Sequence, residues 1–421
     1  MWLARRPRRP KVVYVADAGS SGTRLYRCSA EDVSGRLIGA RQEVVVFPDG
    51  NEAYVWVLAP AHKPSPSEVL CLADCIASGG SSPQARAVAD TAMKKFVDTL
   101  RNAVIADFGG LPAGGHGADR GRPSLVLAAT AGVRKVLGPD ASVAEAGRRL
   151  SEDIRARAGA RIDFVEARVL SGEDEARYEA AAVLHAASTA DGAALVRPLR
   201  PSDIAGVFSL GGASAQFTQL GAPGRHHSES LPIGYKHFQA ILDSKGGAAH
   251  LAEGGAAAVE AAYAEAVAGL ADLPANRQRF IGAWIGIAST CFAAGALGLT
   301  LDKACCQGRS EYEQLCRAGA QGGADSQQPS PWHAVVAVRA RIRERAPELC
   351  RAVAEAAGDR SAAGTTWNPV TDLSQVLAMR FILETMLDDD ARVLFRRNWG
   401  GVRTNFVTGL AVEHLAGDSA A

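Results

Sequence analysis

Two stretches of the chain share one layout, and that repeat constrains the fold more than any other feature. Val12-Val13-Tyr14-Val15 is an apolar run that ends in Asp17. It turns through Ala18-Gly19-Ser20-Ser21-Gly22-Thr23-Arg24 and returns as Leu25-Tyr26-Arg27-Cys28. Val207-Phe208-Ser209-Leu210-Gly211-Gly212-Ala213-Ser214-Ala215-Gln216-Phe217 repeats the pattern of apolar strand, Gly/Ser turn and returning strand. Laid over the first, Gly211 falls on Gly19, Ser214 on Gly22 and Ser209 on Asp17. Such a duplication predicts two related lobes facing each other across a cleft.

The turns themselves suit an anion. Glycines let a backbone turn with positive φ and bring its N–H groups close to phosphate oxygens. Ser20, Ser21, Thr23 and Arg24 add donors, and Asp17 at the strand end is placed to position a divalent cation or a water. A plain hairpin has the same composition, so the first turn alone leaves both readings open. The second copy favours a polyphosphate clamped between two turns.

Bulk properties narrow the class. A chain of 421 residues, 47% hydrophobic and 22% charged, has the length and balance for two or three folded domains. A formal net charge of +1 gives no case for nucleic acid or an anionic membrane as main partner. Of eight cysteines, five lie from Cys291 to Cys350, which suits disulfides stapling one lobe of a secreted enzyme; reduced core thiols are the alternative. The basic N-terminus, MWLARRPRRPK, lacks the apolar stretch of a signal peptide. Ile281 to Leu301 carries no charge and has the length of a membrane span. It is rich in Gly, Ala, Ser and Thr, so a buried core segment is the expectation.

Strand and helix patterns alternate along the chain. Glu43 to Phe47, Ala53 to Leu58 and Ile162 to Leu170 read as strands, and Pro123 to Arg134 as a buried strand ending in a Thr/Gly turn. Ala85 to Ile105, a segment opened by the Ser142/Glu145 capping box, Tyr178 to His185, Gly255 to Leu270 and about Leu373 to Phe395 read as helices. The pattern is α/β with mixed sheets. Ser171-Gly172-Glu173-Asp174-Glu175-Ala176-Arg177-Tyr178 opens one of these helices. Acids in a first turn offset the helix dipole, and Ser171 is a good N-cap; a carboxylate at such a junction can also polarise a water. His226-His227 read as solvated, and Trp284, Trp332, Trp367 and Trp399 as core.

Four stretches together resemble the ecto-apyrase family, the nucleoside triphosphate diphosphohydrolases. They are DAGSSGTR at Asp17, ATAGVR at Ala129, LSGEDEARY at Leu170 and SLGGASAQF at Ser209, in the family's order and spacing. Asn405 to Leu410 is a weaker fifth, and Pro232-Ile233-Gly234-Tyr235 resembles the loop after the second turn. The resemblance implies two RNase-H-like lobes, as in actin-like ATPases, with a nucleotide cleft between them. Residues 11–171 would form the first lobe, with about 400–417 packing back on it, and 172–399 the second. It implies hydrolysis of the terminal phosphate of nucleoside tri- and diphosphates with Mg²⁺ or Ca²⁺, in a secreted or lumenal setting. Carried over by motif, Ser20, Ser21, Gly22, Thr23 and Arg24 cradle one phosphate. Gly211, Gly212, Ala213 and Ser214 take the other, and Thr130 and Arg134 line the same pocket. Glu175 falls at the catalytic base, Ser214 and Gln216 help position the water, and Asp17 holds the metal through water.

Two positions depart, the milder being Asp174, where the family usually has glutamate. The family has an aspartate where this chain has Ser209, paired there with the first-motif aspartate around the hydrated metal. Serine brings no charge, so weaker metal binding is expected. Three readings follow: an apyrase, an exopolyphosphatase or sugar kinase of the same superfamily, and a nucleotide-binding protein without turnover. A sugar kinase needs a further Asp base, for which the sequence offers no distinct candidate.

Overall fold

The computed structural model describes residues 11–19, 22–33, 36–44, 54–55, 83–110, 122–131, 133–134, 143–158, 162–189, 200–221, 226–270, 279–299, 332–358, 369–399 and 402–417. Ser20, Ser21 and Trp367 lie outside them. The chain forms two compact units, residues 1–191 together with 400–421, and residues 192–399.

The first unit opens with β1 (Lys11–Gly19), β2 (Gly22–Val33) and β3 (Arg36–Val44), then a short β4 (Tyr54–Val55). Helix α1 (Pro83–Gly110) leads to β5 (Ser124–Ala129), α2 (Val143–Ala158), β6 (Asp163–Val169) and α3 (Gly172–Thr189). The sheet order is β3-β2-β1-β5-β6, with β4 on β2. β1, β2 and β3 form an antiparallel meander, and β5 and β6 run parallel to β1.

β1 and β5 are apolar on both sides because both faces are covered. Tyr14, Ala16, Leu25, Leu125 and Leu127 pack with Phe96, Leu100 and Val104 of α1 and Ile154 of α2. Val13, Val15, Tyr26, Val126 and Ala128 face the other way and pack with Tyr178 of α3.

The second unit repeats the plan. β7 (Gly206–Leu210), β8 (Ala215–Gln219) and β9 (His227–Leu231) form the meander. Helices α4 (Tyr235–Ser244) and α5 (Gly247–Ala268) follow, then β10 (Ala283–Ala288), α6 (Ser289–Ala296), β11 (His333–Ala334), α7 (Val335–Gly358), α8 (Pro369–Met386) and β12 (Arg392–Phe395). The order is β11-β12-β10-β7-β8-β9, with β10 parallel to β7 and to β12. From the third meander strand inward, β9-β8-β7-β10-β12 matches β3-β2-β1-β5-β6. Trp284 is fully buried beneath Gly206, where a Cβ would lie 2.4 Å from the indole.

The chain then returns to the first unit as α9 (Phe406–Gly417). The Asn405 side chain caps it, accepting from the Thr408 N–H at 3.0 Å. Val407, Leu410 and Ala411 join the core beside Tyr178. At Gly409 the two helices touch: a Cβ there would lie 1.8 Å from the Tyr178 carbonyl oxygen. Helix α3 therefore belongs with the first unit, and the unit boundary falls at 191/192 rather than at 171/172.

Other expectations change in detail. The helix expected to reach Phe395 stops at Met386, where Asp388 accepts from the Asp390 N–H at 3.1 Å in a tight turn before β12. The uncharged stretch from Ile281 is strand β10 followed by helix α6, both largely buried, not a span. Among the described residues no helix is long and apolar enough to cross a membrane. Cys291 is disulfide-bonded, whereas Cys28 and Cys350 are buried free thiols, so the cluster from Cys291 to Cys350 is not wholly oxidised.

Candidate functional site

In the first unit three sequence motifs end at the same edge of one sheet. Strands β1, β5 and β6 are parallel, and their carboxyl ends lie in register: Asp17 pairs with Ala128, Ala18 with Ala129, and Ala129 with Val169. The Thr130 N–H donates to the Ala18 carbonyl at 3.0 Å, and the Leu170 N–H to the Ala129 carbonyl at 2.8 Å. Open parallel sheets bind ligands at this carboxyl edge.

Register fixes which way Asp17 points. It lies directly opposite Arg24 in the β1–β2 ladder, on the face shared by Val15 and Tyr26. Arg24 is exposed and hydrogen-bonds the Tyr26 phenol, with its charge also beside Asp17. Asp17 is half-buried, and burial pushes its carboxyl up to about 7; Arg24 opposes this shift and the charge of Glu175 adds to it. Thr23 is buried, and Gly22 opens β2.

The acids at the start of α3 separate into distinct roles. The Ser171 hydroxyl accepts from the Asp174 N–H at 3.0 Å and donates to its carboxylate at 3.1 Å, which is the expected cap. Glu173 is exposed. Glu175 turns inward instead, with 13% side-chain exposure, and meets Arg134 Nη2 at 3.2 Å. Arg134 reaches it from the helical turn after β5, where its own N–H and that of Val133 donate to the Thr130 carbonyl. Its Nη1 donates to the Leu170 carbonyl at 2.5 Å, so the guanidinium spans the whole β6–α3 junction. Burial pushes the Glu175 carboxyl upward and the Arg134 charge pulls it back.

The structure thus gathers Asp17, Arg24, Thr130, Arg134 and Glu175 at one sheet edge. Arg134, expected to line a phosphate pocket, is engaged with the expected base. The sequence holds no local signal for that ion pair, because its members lie 41 residues apart.

The second turn, in its own unit, is built from neutral groups. Ser209 lies opposite Gln216 in the β7–β8 ladder, and the Gly211 N–H closes the turn on the Ser214 carbonyl at 2.8 Å. Ser209, Ser214 and Gln216 are all buried. The Ser209 hydroxyl donates to Gln216 Oε1 at 2.9 Å, and Gln216 Nε2 donates to Ser214 Oγ at 2.6 Å. The Pro232 to Tyr235 segment locks this turn from outside. The Tyr235 and Lys236 N–H groups donate to the Gly211 and Gly212 carbonyls, both at 3.1 Å. A Cβ on Gly234 would lie 2.3 Å from the Gly212 carbonyl carbon, so only glycine allows that approach.

Beside it, Ala288 ends β10 opposite Leu210 with φ 57 and ψ −129. This conformation is strained for a residue with a Cβ, and nothing in the sequence pattern announces it. His226 and His227 are exposed, and Trp284 and Trp399 are core.

No group of three or more His, Cys, Asp or Glu able to hold a metal occurs among the described residues. The donor set nonetheless fits Mg²⁺, which keeps most of its waters and takes one or two carboxylates plus substrate phosphates. The Glu175 charge raises the proton affinity of Asp17, an effect a cation beside Asp17 would oppose.

No protein-family model matches the chain, and no curated protein matches it in sequence. Solved structures do resemble it. A nucleoside triphosphate hydrolase from Neospora caninum aligns with a TM-score of 0.53 and 12% identity, over 98% of this chain and 94% of its own. The Ppx/GppA enzyme of Aquifex aeolicus gives a TM-score of 0.44 and 12% identity, over 96% and 100%. An exopolyphosphatase from Cytophaga hutchinsonii gives 0.42 and 12%, over 97% and 98%. At such identities likeness is one of fold. The Neospora alignment and the matching strand orders establish the α/β class, two RNase-H-like lobes of the actin-like ATPase kind.

Proposed function

We propose that the protein hydrolyses phosphoanhydrides, and specifically the terminal phosphates of nucleoside tri- and diphosphates, as an apyrase. The observation that carries this reading is the Glu175–Arg134 pair beside Asp17 at the carboxyl edge of the first sheet. A buried carboxylate of raised proton affinity, oriented by a cation, suits a general base for water.

Arg134 occupies Oε2 of Glu175, which assigns Oε1 to take the proton as the water oxygen attacks the terminal phosphorus. The leaving phosphate departs in line on the far side. Backbone N–H groups of the first turn, with Thr23 and Arg24, bind phosphate oxygens; Gly211 to Ser214 offer donors of the same kind in the second unit, where Ser214 and Gln216 are suited to orienting a water. Bound Mg²⁺ or Ca²⁺, held through water by Asp17, would supply charge neutralisation on the phosphates.

Two other readings have specific support. Every residue assigned above serves phosphate, water or metal and none is assigned to a nucleobase, which also suits linear polyphosphate. Ser209 brings no carboxylate, which suits nucleotide binding without turnover. Phosphate release from ATP, ADP and polyphosphate, with Mg²⁺, Ca²⁺ or EDTA, separates the three. Metal-dependent release from both nucleotides is expected. Release from polyphosphate alone would make it an exopolyphosphatase, and saturable ATP binding without release would make it a binding protein.

A further inference from the structure

The buried chain Ser209–Gln216–Ser214 has a direction. A glutamine amide donates only through nitrogen and accepts only through oxygen. Because the Ser209 hydroxyl donates to Oε1, Nε2 is the end that faces Ser214, and it donates to Ser214 Oγ. Ser214 then receives one hydrogen bond and keeps its own hydroxyl hydrogen to give away. The strands supply the rigid frame: Ser209 and Gln216 are direct partners in the β7–β8 ladder, and all three side chains are at most 6% exposed. Turning the amide round would put Oε1 on Ser214, which would then spend its hydrogen on the amide.

We infer that Ser209 is a positioning residue, whose hydroxyl sets the Gln216 amide so that Ser214 presents a free O–H donor at the second turn. This rests on the reading of Ser214 and Gln216 as water-positioning groups. It gives Ser209 a role of its own and does not treat it as the residue of a lost metal site. A carboxylate at 209 cannot donate; it would draw Nε2 towards itself and reverse the chain.

The test compares Ser209→Ala, Ser209→Thr and Ser209→Asp with wild type, by steady-state phosphate release and by the side-chain amide resonances of Gln216. In Ser209→Ala and Ser209→Asp, kcat falls on the order of tenfold with KM within about twofold, since a mis-set donor costs rate more than ground-state binding. Ser209→Thr, which keeps the hydroxyl, restores most of the loss. Ser209→Ala added to Gln216→Ala costs nothing further. The Gln216 amide protons exchange slowly with water in wild type and Ser209→Thr, and faster in Ser209→Ala.

Higher activity or tighter Mg²⁺ dependence in Ser209→Asp would overturn the inference, as would an unchanged Gln216 resonance in Ser209→Ala. The resonance arm needs no turnover. A wild type that releases no phosphate therefore removes the hydrolase reading while the hydrogen-bond direction is still decided.

Discussion

The two turns occupy equivalent places in equivalent sheets and are chemically opposite. In the first, the ladder pair is Asp17 and Arg24; in the second it is Ser209 and Gln216. The next parallel strand places Ala128 beside Asp17 and Ile287 beside Ser209. Charge is concentrated in the first unit, where Arg134 and Glu175 join the same edge. The second unit offers neutral hydroxyl, amide and backbone donors, locked by Gly234. On the proposed reading, a duplicated fold divides the work: ionisable chemistry at one turn, orientation at the other. The division follows from burial. Ser209 and Gln216 are nearly sealed, and an unpaired carboxylate there would be costly to ionise. Asp17 is only half-buried and has the Arg24 guanidinium opposite it.

The hardest blow to this division is Glu175→Gln. It keeps the shape and removes the base, so kcat should fall by roughly a thousandfold, within the usual range for a lost general base. Full phosphate release by that variant would place the proton acceptor elsewhere and leave the first turn a binding element like the second. Next comes Gly234→Ala, which drives a methyl into the Gly212 backbone. It should destabilise the protein by about 3 kcal/mol, because backbone cannot swing aside as a side chain can. A urea midpoint unchanged from wild type would show that the second turn is not locked as described.

Arg134→Met sharpens the comparison by removing the cation and keeping some bulk. Burial raises the proton affinity of Glu175 and Arg134 restrains it. Without the guanidinium the carboxyl titrates higher, so the acid limb of kcat/KM moves to higher pH. At neutral pH kcat should fall about thirtyfold, a loss of roughly 2 kcal/mol. If KM rises instead while kcat and the limb stay put, Arg134 serves phosphate and not the base.

Much of this arrangement is legible in the sequence. The return of residues near 405 to the first unit is implied only by the family resemblance, whereas both hairpins and the Ser171 cap follow from apolar runs broken by Gly/Ser turns and from one good capping residue. Those signals are local and survive in a bare sequence. The end of α8 is hidden because Leu394 and Phe395 prolong an apolar pattern; Asp388-Asp389-Asp390 is the stop signal. The residues from Ile281 looked uniform, although Ala288 turns them from strand to helix through a positive φ that composition does not encode. The Arg134–Glu175 pair and the Gly409 contact with Tyr178 join distant segments, so only packing reveals them. In the sequence Ser209 stands out only as a missing carboxylate; its hydrogen bond to Gln216 is what motivates the positioning role inferred above.

Asp17 gives the smallest effect and the finest test of where charge resides. Its carboxyl titrates at about 7 in the folded protein, above the usual aspartate range, chiefly through burial and secondarily through Glu175. The folded state therefore binds the proton more tightly than the unfolded chain does. Between the two pKa values folding takes up a proton, so in metal-free buffer Asp17 makes stability fall as pH rises from about 4 to about 7. Below that window both states are protonated, above it both are ionised, and the slope disappears. Asp17→Asn removes the contribution. Its advantage over wild type in unfolding free energy, read from urea titrations, should be absent near pH 4 and reach about 1–2 kcal/mol at pH 8, a figure kept small because the group is partly solvated. The matching change at the second turn, Ser209→Ala, replaces a group that does not titrate, so its stability difference from wild type should stay level across the same range. Parallel pH profiles for the two variants would mean that Asp17 is not strained by its burial, and the contrast between a charged and a neutral turn would lose its electrostatic basis.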